Sequence, residues 1–225
     1  MQQFDVRKII QTSPVAHAQP KALAKWEVIN GMEIAVEFAS AEIERARKQV
    51  LGVADVSCLV RYGVKGPNAM QWLVERGVAI PTSPNAWTMS EQKTLVLRLG
   101  GSEFLIEDQL GGFVCNKLAS ETTRVAGVYQ VPRADAAFVV SGSETLNLFS
   151  ELCSLDLREK SLADNQLIMT QIAGISATVI HQTLHGESIY RIWCDGTYGA
   201  YMWEILMEIA VELGGGAVGL SHYQS

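Results

Sequence analysis

The sequence predicts an α+β fold made of two related β-α-β-β-α halves packed as one body. Three observations carry this. A strand, glycine, helix order occurs twice, with Val64-Lys65-Gly66-Pro67-Asn68-Ala69-Met70-Gln71-Trp72-Leu73 kept in apolar phase with Val140-Ser141-Gly142-Ser143-Glu144-Thr145-Leu146-Asn147-Leu148-Phe149, 76 residues later. Each copy runs on into a hairpin and a helix, the turn at Gly101 answered by one at Gly186, 85 residues on. The 225 residues are 48% apolar and 19% charged, enough for a sizeable core and far from the composition of a disordered chain. Two such units leave two sheets that must cover each other or share helices, so one intertwined domain is expected rather than two lobes on a hinge.

Taken in order, residues 10–26 hold Pro14 and Pro20 and no apolar period, so residues 1–29 read as an N-terminal arm. Residues 30–225 read as the domain, with the repeat at about 54–120 and 134–213. Ile34, Val36 and Phe38 alternate with polar or small residues, the period of a half-buried strand. Ser40 is placed to cap a helix over Ala41 to Val50 that stops near Gly52. Asp55 to Lys65 reads as one strand, and Pro67 opens a helix reaching about Arg76. Pro81 and Pro84 mark a loop, and Gly100-Gly101-Ser102 turns a hairpin between Leu95–Leu99 and Phe104–Glu107. A helix is expected over Gly112 to Ser120. In the second copy Ala136 to Ser141 is a strand, and Ser143 caps a helix through Leu152. Ile175 to Gln182 is again a strand, and Tyr198 to Leu213 a final helix stopped by Gly214-Gly215-Gly216.

Several function classes are disfavoured. With 24 acidic against 18 basic residues, a net charge of −6 and no basic cluster, the chain has no footprint for nucleic acid. The most apolar helix, Tyr201 to Leu213, carries Glu204, Glu208 and Glu212, so no membrane span is expected. The start lacks the basic-then-apolar order of a secretory leader, which points to the cytoplasm. Cys58, Cys115, Cys153 and Cys194 are widely spaced and read as reduced thiols. His181 and His185 would share a face as metal ligands on a helix, but their segment reads as a strand with no third ligand near, so no metal is expected. No phosphate-cradling glycine loop and no nucleophile elbow is present.

The last helix has apolar residues around most of its circumference, more than one sheet face hides. Either both halves of this chain grip it, or a partner subunit covers the part around Trp203 and Met207.

Gly186-Glu187-Ser188-Ile189-Tyr190-Arg191-Ile192 resembles the Gly-Glu-x-x-Tyr-x-Ile signature of the glycine-cleavage T-protein (aminomethyltransferase) family, whose folate-binding fold also contains two related halves. Gly52-Val53-Ala54-Asp55-Val56-Ser57 is similar to that family's Gly-Leu-x-Asp-Leu-Ser, and Val64-Lys65-Gly66-Pro67-Asn68-Ala69 to its Val-x-Gly-Pro-Asp-Ala. Gly219-Leu220 follows the last helix, as Gly-Leu does in the family. Within this superfamily, Cys153-Ser154-Leu155-Asp156-Leu157 and the short length resemble the gamma subunit of heterotetrameric sarcosine oxidase.

The resemblance implies a tetrahydrofolate site with Glu187 and Tyr190 as its binding residues. A carboxylate at 187 would accept two parallel hydrogen bonds from a pterin ring, unless it is simply a solvated acid beside a hairpin turn. The family's one-carbon transfer uses an aspartate in a Gly-x-x-Asp-Asp-Leu stretch, and here Gln92 and Lys93 stand where those acids would be. Neither an amide nor an ammonium serves as a carboxylate base, so no catalytic residue is expected; Glu91 would align only through a one-residue gap. The implied role is a non-catalytic subunit or interaction module of a sarcosine-oxidase-like amine-oxidising complex that retains folate binding. Its partners would be larger flavin-dependent oxidase subunits or a second copy. The alternative is a stand-alone tetrahydrofolate-dependent aminomethyl transferase-like enzyme that uses Glu91.

Overall fold

The structure is a computed structural model that describes residues 10–91, 93–121, 125–184 and 186–223. It opens with a small sheet of order β1-β3-β2, where β1 is Gln11–Thr12, β2 Lys25–Ile29 and β3 Met32–Glu37. Asn30 and Gly31 both have positive φ, 51° and 79°, the tight turn whose twist matches an antiparallel pair. That Asn-Gly signal lies across the boundary drawn at residue 29, so the expected arm holds a strand. The arm is also packed rather than loose: Val15 is fully buried in the core, and Ser13 and Gln19 are buried beside it. The prolines end regular structure here without releasing the chain from the body. Helix α1 (Ala41–Leu51) follows, with Ser40 Oγ accepting from the Ile43 amide at 3.5 Å.

Two copies of one unit make up the rest. The first is β4 (Gly52–Asp55), β5 (Arg61–Lys65), α2 (Ala69–Val74), β6 (Ala86–Met89), β7 (Thr94–Arg98), β8 (Glu103–Asp108) and α3 (Val114–Ser120). The second is β9 (Tyr129–Val131), β10 (Asp135–Ser141), α4 (Thr145–Leu152), β11 (Leu167–Ile172), β12 (Ile175–Leu184), β13 (Glu187–Asp195) and α5 (Gly199–Glu212), with β14 (Gly216–Ala217) after it. The sheets run β6-β7-β8-β5-β9 and β11-β12-β13-β10-β4-β14. The leading strand of each unit therefore lies in the other unit's sheet: β4 pairs antiparallel with β10, and β9 with β5. This exchange corrects the single strand expected over 55–65, which is two strands belonging to different sheets. The repeat also exceeds the expected β-α-β-β-α unit by the exchanged strand and by β6 or β11.

The repeated glycine sits where the exchanged strand arrives. Gly66 and Gly142 have φ of 126° and 114°, and a Cβ there would lie 2.2 Å from the Gly127 carbonyl oxygen and 2.4 Å from that of Val50. Those carbonyls, just before β9 and β4, instead accept from the amides of Asn68 at 3.1 Å and Glu144 at 2.9 Å. Ser143 is not the cap of α4: Glu144 holds the N-cap position without a side-chain bond. The sheets also touch at one edge, where Trp87 N donates to Asn165 O at 2.9 Å and Leu167 N to Asn85 O at 2.8 Å. Asn85 and Asn165 share the left-handed conformation, φ 55° and 54°, so the contact is reciprocal about an approximate twofold axis.

Strand alternation then builds four layers. On β13, Ile189 and Trp193 face the other sheet, while Tyr190, Ile192 and Cys194 face α4 and α5. On β7, Leu95 and Leu97 face inward and Val96 faces the layer of α2 and α3. Helix α5 covers the outer face of the second sheet with Met202, Leu206 and Ala210. Trp203, to be covered either by this chain or by a partner, is 3% exposed and stacked on Phe38 at 5.8 Å, and Met207 is half-buried. Segments from before the repeat supply the cover, which period counting on the helix alone does not foresee. Among the described residues no helix is long and apolar enough to cross a membrane.

Candidate functional site

The two residues expected to bind folate do not share a face. Glu187 begins β13 and points to solvent, its side chain 54% exposed, with Oε2 2.6 Å from Lys48 Nζ. Lys48 Nζ also donates to the His222 carbonyl at 3.1 Å and stands 4.7 Å over the ring of Tyr223, whose hydroxyl lies 2.6 Å from Ser141 Oγ. Tyr190, three residues on, points through the opposite face of the sheet. It is buried against Phe149, donates to the Leu157 carbonyl at 2.6 Å, and burial pushes its phenol up to about 12. No single small ligand touches both side chains.

Below Glu187 on the same face come Ile189 and Arg191, and here the sheets border a small cavity of about 20 Å³. Leu220 and Tyr223, from the turn after β14, close it together with Leu184 and Ile189; Gln109, Gln182 and Arg191 are its polar lining. The space admits one water. A pterin ring does not fit it, and the carboxylate that would hold such a ring is engaged by Lys48. The residues present therefore do not fit the folate that the resemblance implies.

The acidic stretch of the resemblance falls on the β6–β7 turn. Gln92 lies outside the described residues. Lys93 has φ 58°, and its carbonyl accepts from Gln109 N at 3.1 Å, which sets this turn beside the cavity. Glu91 is exposed on the same turn.

Sequence reasoning missed the strongest electrostatic feature, although Arg191 inside an apolar strand was a visible signal. Glu107 on β8 is fully buried and accepts from Arg61 Nε at 2.6 Å, from Trp193 Nε1 at 2.8 Å and from Arg191 Nη2. Burial pushes the Glu107 carboxyl up, but Arg191, Arg61 and Trp193 outweigh it and hold the group below its ordinary value. The cluster joins β5 and β8 of the first unit to β13 of the second. With both Glu107 oxygens bonded and the carboxylate fully buried, the cluster ties the two sheets together.

A wider cleft of about 1080 Å³ lies at the far end of the strands, bordered by Ser57, Arg61, Arg133, Asp135, Asp195 and Thr197. Several of its polar groups are already engaged: Arg133 grips Asp135 at 2.7 and 3.0 Å, Asp195 Oδ1 accepts from Thr197 N at 2.8 Å, and Ser57 Oγ accepts from Ala137 N at 3.0 Å. His181 Nε2 lies 2.8 Å from Ser188 Oγ, and His185 is outside the described residues. Among the described residues no group of three or more metal-ligating side chains converges. The four cysteines are buried and unbridged, and burial pushes Cys58 and Cys194 up to about 12.

The motifs that carry the resemblance do structural work. Asp55 accepts from Ser13 Oγ and from Ser57 N, the latter at 2.9 Å, which fixes the turn between the sheets. Asn68 Nδ2 holds the Ala126 carbonyl at 2.9 Å, and Gly219 allows Val36 O to approach within 1.9 Å of where a Cβ would stand. Asp156 Oδ1 accepts from the Arg158 amide at 3.0 Å, shaping the segment that offers the Leu157 carbonyl to Tyr190.

Comparison with known proteins agrees with this fold. Residues 15–225 match the protein family described as GCVT N-terminal domain. The chain is 26% identical over 229 residues to an aminomethyltransferase of Bacillus cereus (strain B4264) and 25% identical over 230 to one of Bacillus anthracis (strain CDC 684 / NRRL 3495). Each match covers 94% of this chain but only 61% of the relative's length. Among solved structures, the glycine cleavage system aminomethyltransferase T from Bartonella henselae superposes with a TM-score of 0.68 at 16% identity, covering 94% of this chain and 60% of that one. A chain of the heterotetrameric sarcosine oxidase from Corynebacterium sp. U-96 superposes with a TM-score of 0.64 at 18% identity, covering 92% of this chain and 98% of that one.

Proposed function

This chain belongs to the GCVT N-terminal domain family, and from there we propose that it works as a non-catalytic subunit or interaction module of an amine-oxidising complex. The observation that carries this is how little room the site leaves. Glu187 is paired with Lys48, the space beneath it is about 20 Å³, and Lys93 stands where the resemblance calls for an acid. As it stands, such a site leaves no room for a pterin ring, and the ammonium at 93 is no base for one-carbon transfer. A chain of a heterotetrameric sarcosine oxidase shares this fold, which is compatible with the subunit reading. The partners would be larger flavin-dependent oxidase subunits, which hold the amine and the flavin, or a second copy of the chain.

Purification from the native cell, followed by identification of co-eluting chains and calorimetry with tetrahydrofolate, tests the reading. Co-elution with a flavin-containing oxidase subunit and no folate heat are expected. The second reading, a stand-alone tetrahydrofolate-dependent aminomethyl transferase, is favoured by the name of the curated relatives. It requires the cavity to open and Glu91 to act as base. Folate binding that weakens in Glu187→Gln, with turnover lost in Glu91→Gln, would establish it and overturn the first.

A further inference from the structure

We propose that the small cavity between the sheets is a binding site for one water molecule that accepts two hydrogen bonds, donates one and ties the two repeated units together. Three buried polar atoms without a partner belong to residues lining this single space: Arg191 Nε, Gln109 Nε2 and Gln182 Oε1. Arg191 is 2% exposed and Gln182 7%, so bulk solvent does not satisfy them. Unpaired polar groups at such depth are rare and unfavourable, and each calls for a ligand.

The atom types select the ligand. Arg191 Nε and Gln109 Nε2 donate, and Gln182 Oε1 accepts. A halide would place its charge against Gln182 Oε1. An ammonium ion has no lone pair for the two donors, and it would meet two arginines balanced by the single carboxylate of Glu107. Water meets all three demands, makes the three bonds usual for an interior water, and matches a volume of about 20 Å³. Gln109 follows β8 in the first unit, whereas Gln182 and Arg191 lie on β12 and β13 of the second. The bound molecule thus bridges the units and completes the guanidinium that pairs with Glu107.

The test is a crystal structure of the full chain grown with sodium bromide, at a resolution that shows ordered water. One peak within about 2.7–3.2 Å of all three atoms and lacking bromine anomalous signal is expected. An anomalous peak would mean that the Gln182 amide faces the other way and a halide is the ligand; that result, or an empty cavity, overturns the proposal. In solution, a water cross-peak to the Arg191 Nε proton is expected in the labelled protein and should vanish in Gln182→Leu. Its persistence in that variant would overturn the shared-water geometry. Should Gln182→Leu not fold, the wild-type crystal decides alone.

Discussion

Glu107 and Asp55 are both buried carboxylates with opposite responses to pH. Glu107 is held below its ordinary value of 4.5, because Arg191, Arg61 and Trp193 outweigh the effect of burial. Its stabilisation is present above about pH 4.5 and is lost as pH falls through the lower folded value. Asp55 is raised above 3.8, since burial outweighs the bonds from Ser13 and Ser57. Its contribution is present below that value and fades as pH rises through the folded one. Glu107→Gln should therefore destabilise the protein at pH 7 by about 3–5 kcal/mol, leaving two guanidiniums uncompensated, and should flatten the acid side of the stability profile. Asp55→Asn keeps an acceptor for Ser57 N and gains a donor toward Ser13, so a loss below about 1 kcal/mol is expected. Urea denaturation across pH 3 to 8 measures both; equal losses would refute this account. Arg61 and Glu107 looked ordinary in the sequence and only Arg191, inside an apolar strand, stood out, because the importance of the three arises from their meeting.

At the scale of elements, the repeated glycines were legible because a strand running directly into a helix needs a backbone that only glycine adopts readily. What the glycine touches was not legible. Gly66→Ala and Gly142→Ala should each cost more than about 2 kcal/mol, since the new Cβ meets a backbone carbonyl at 2.2 and 2.4 Å. Gly186 has φ 82° but nothing within 4 Å of a Cβ, so Gly186→Ala should cost only about 1–2 kcal/mol of backbone strain. Urea midpoints of the three variants decide whether crossing strands or turn strain dominates. Helix α5 gives a third comparison. Trp203 is closed against Phe38, so Trp203→Ala should lower stability by about 3–5 kcal/mol and leave the oligomeric state on a sizing column unchanged. A stable variant with altered assembly would restore the interface reading of that residue.

For the whole molecule, the exchange of β4 and β9 means that neither unit has a complete sheet of its own. Fragments 54–120 and 134–213 should not fold when made separately, and the intact chain should unfold in one transition by both fluorescence and far-ultraviolet dichroism. Two separated transitions would contradict the intertwined sheets. The sequence by itself determined the α+β class, the duplication, the hairpins turning at Gly101 and Gly186 and the approximate places of α1 to α5, because these follow from local periodicity and from backbone conformations that few residues adopt. It also carried the family resemblance, through motifs whose work is to hold turns. The tertiary structure alone decided that β4 and β9 change sheets, that Leu220 and Tyr223 close the cavity, that Lys48 occupies Glu187 and that Tyr190 faces away from it. Those outcomes depend on which distant segments share a layer, and no local pattern records a contact between residues separated by most of the chain.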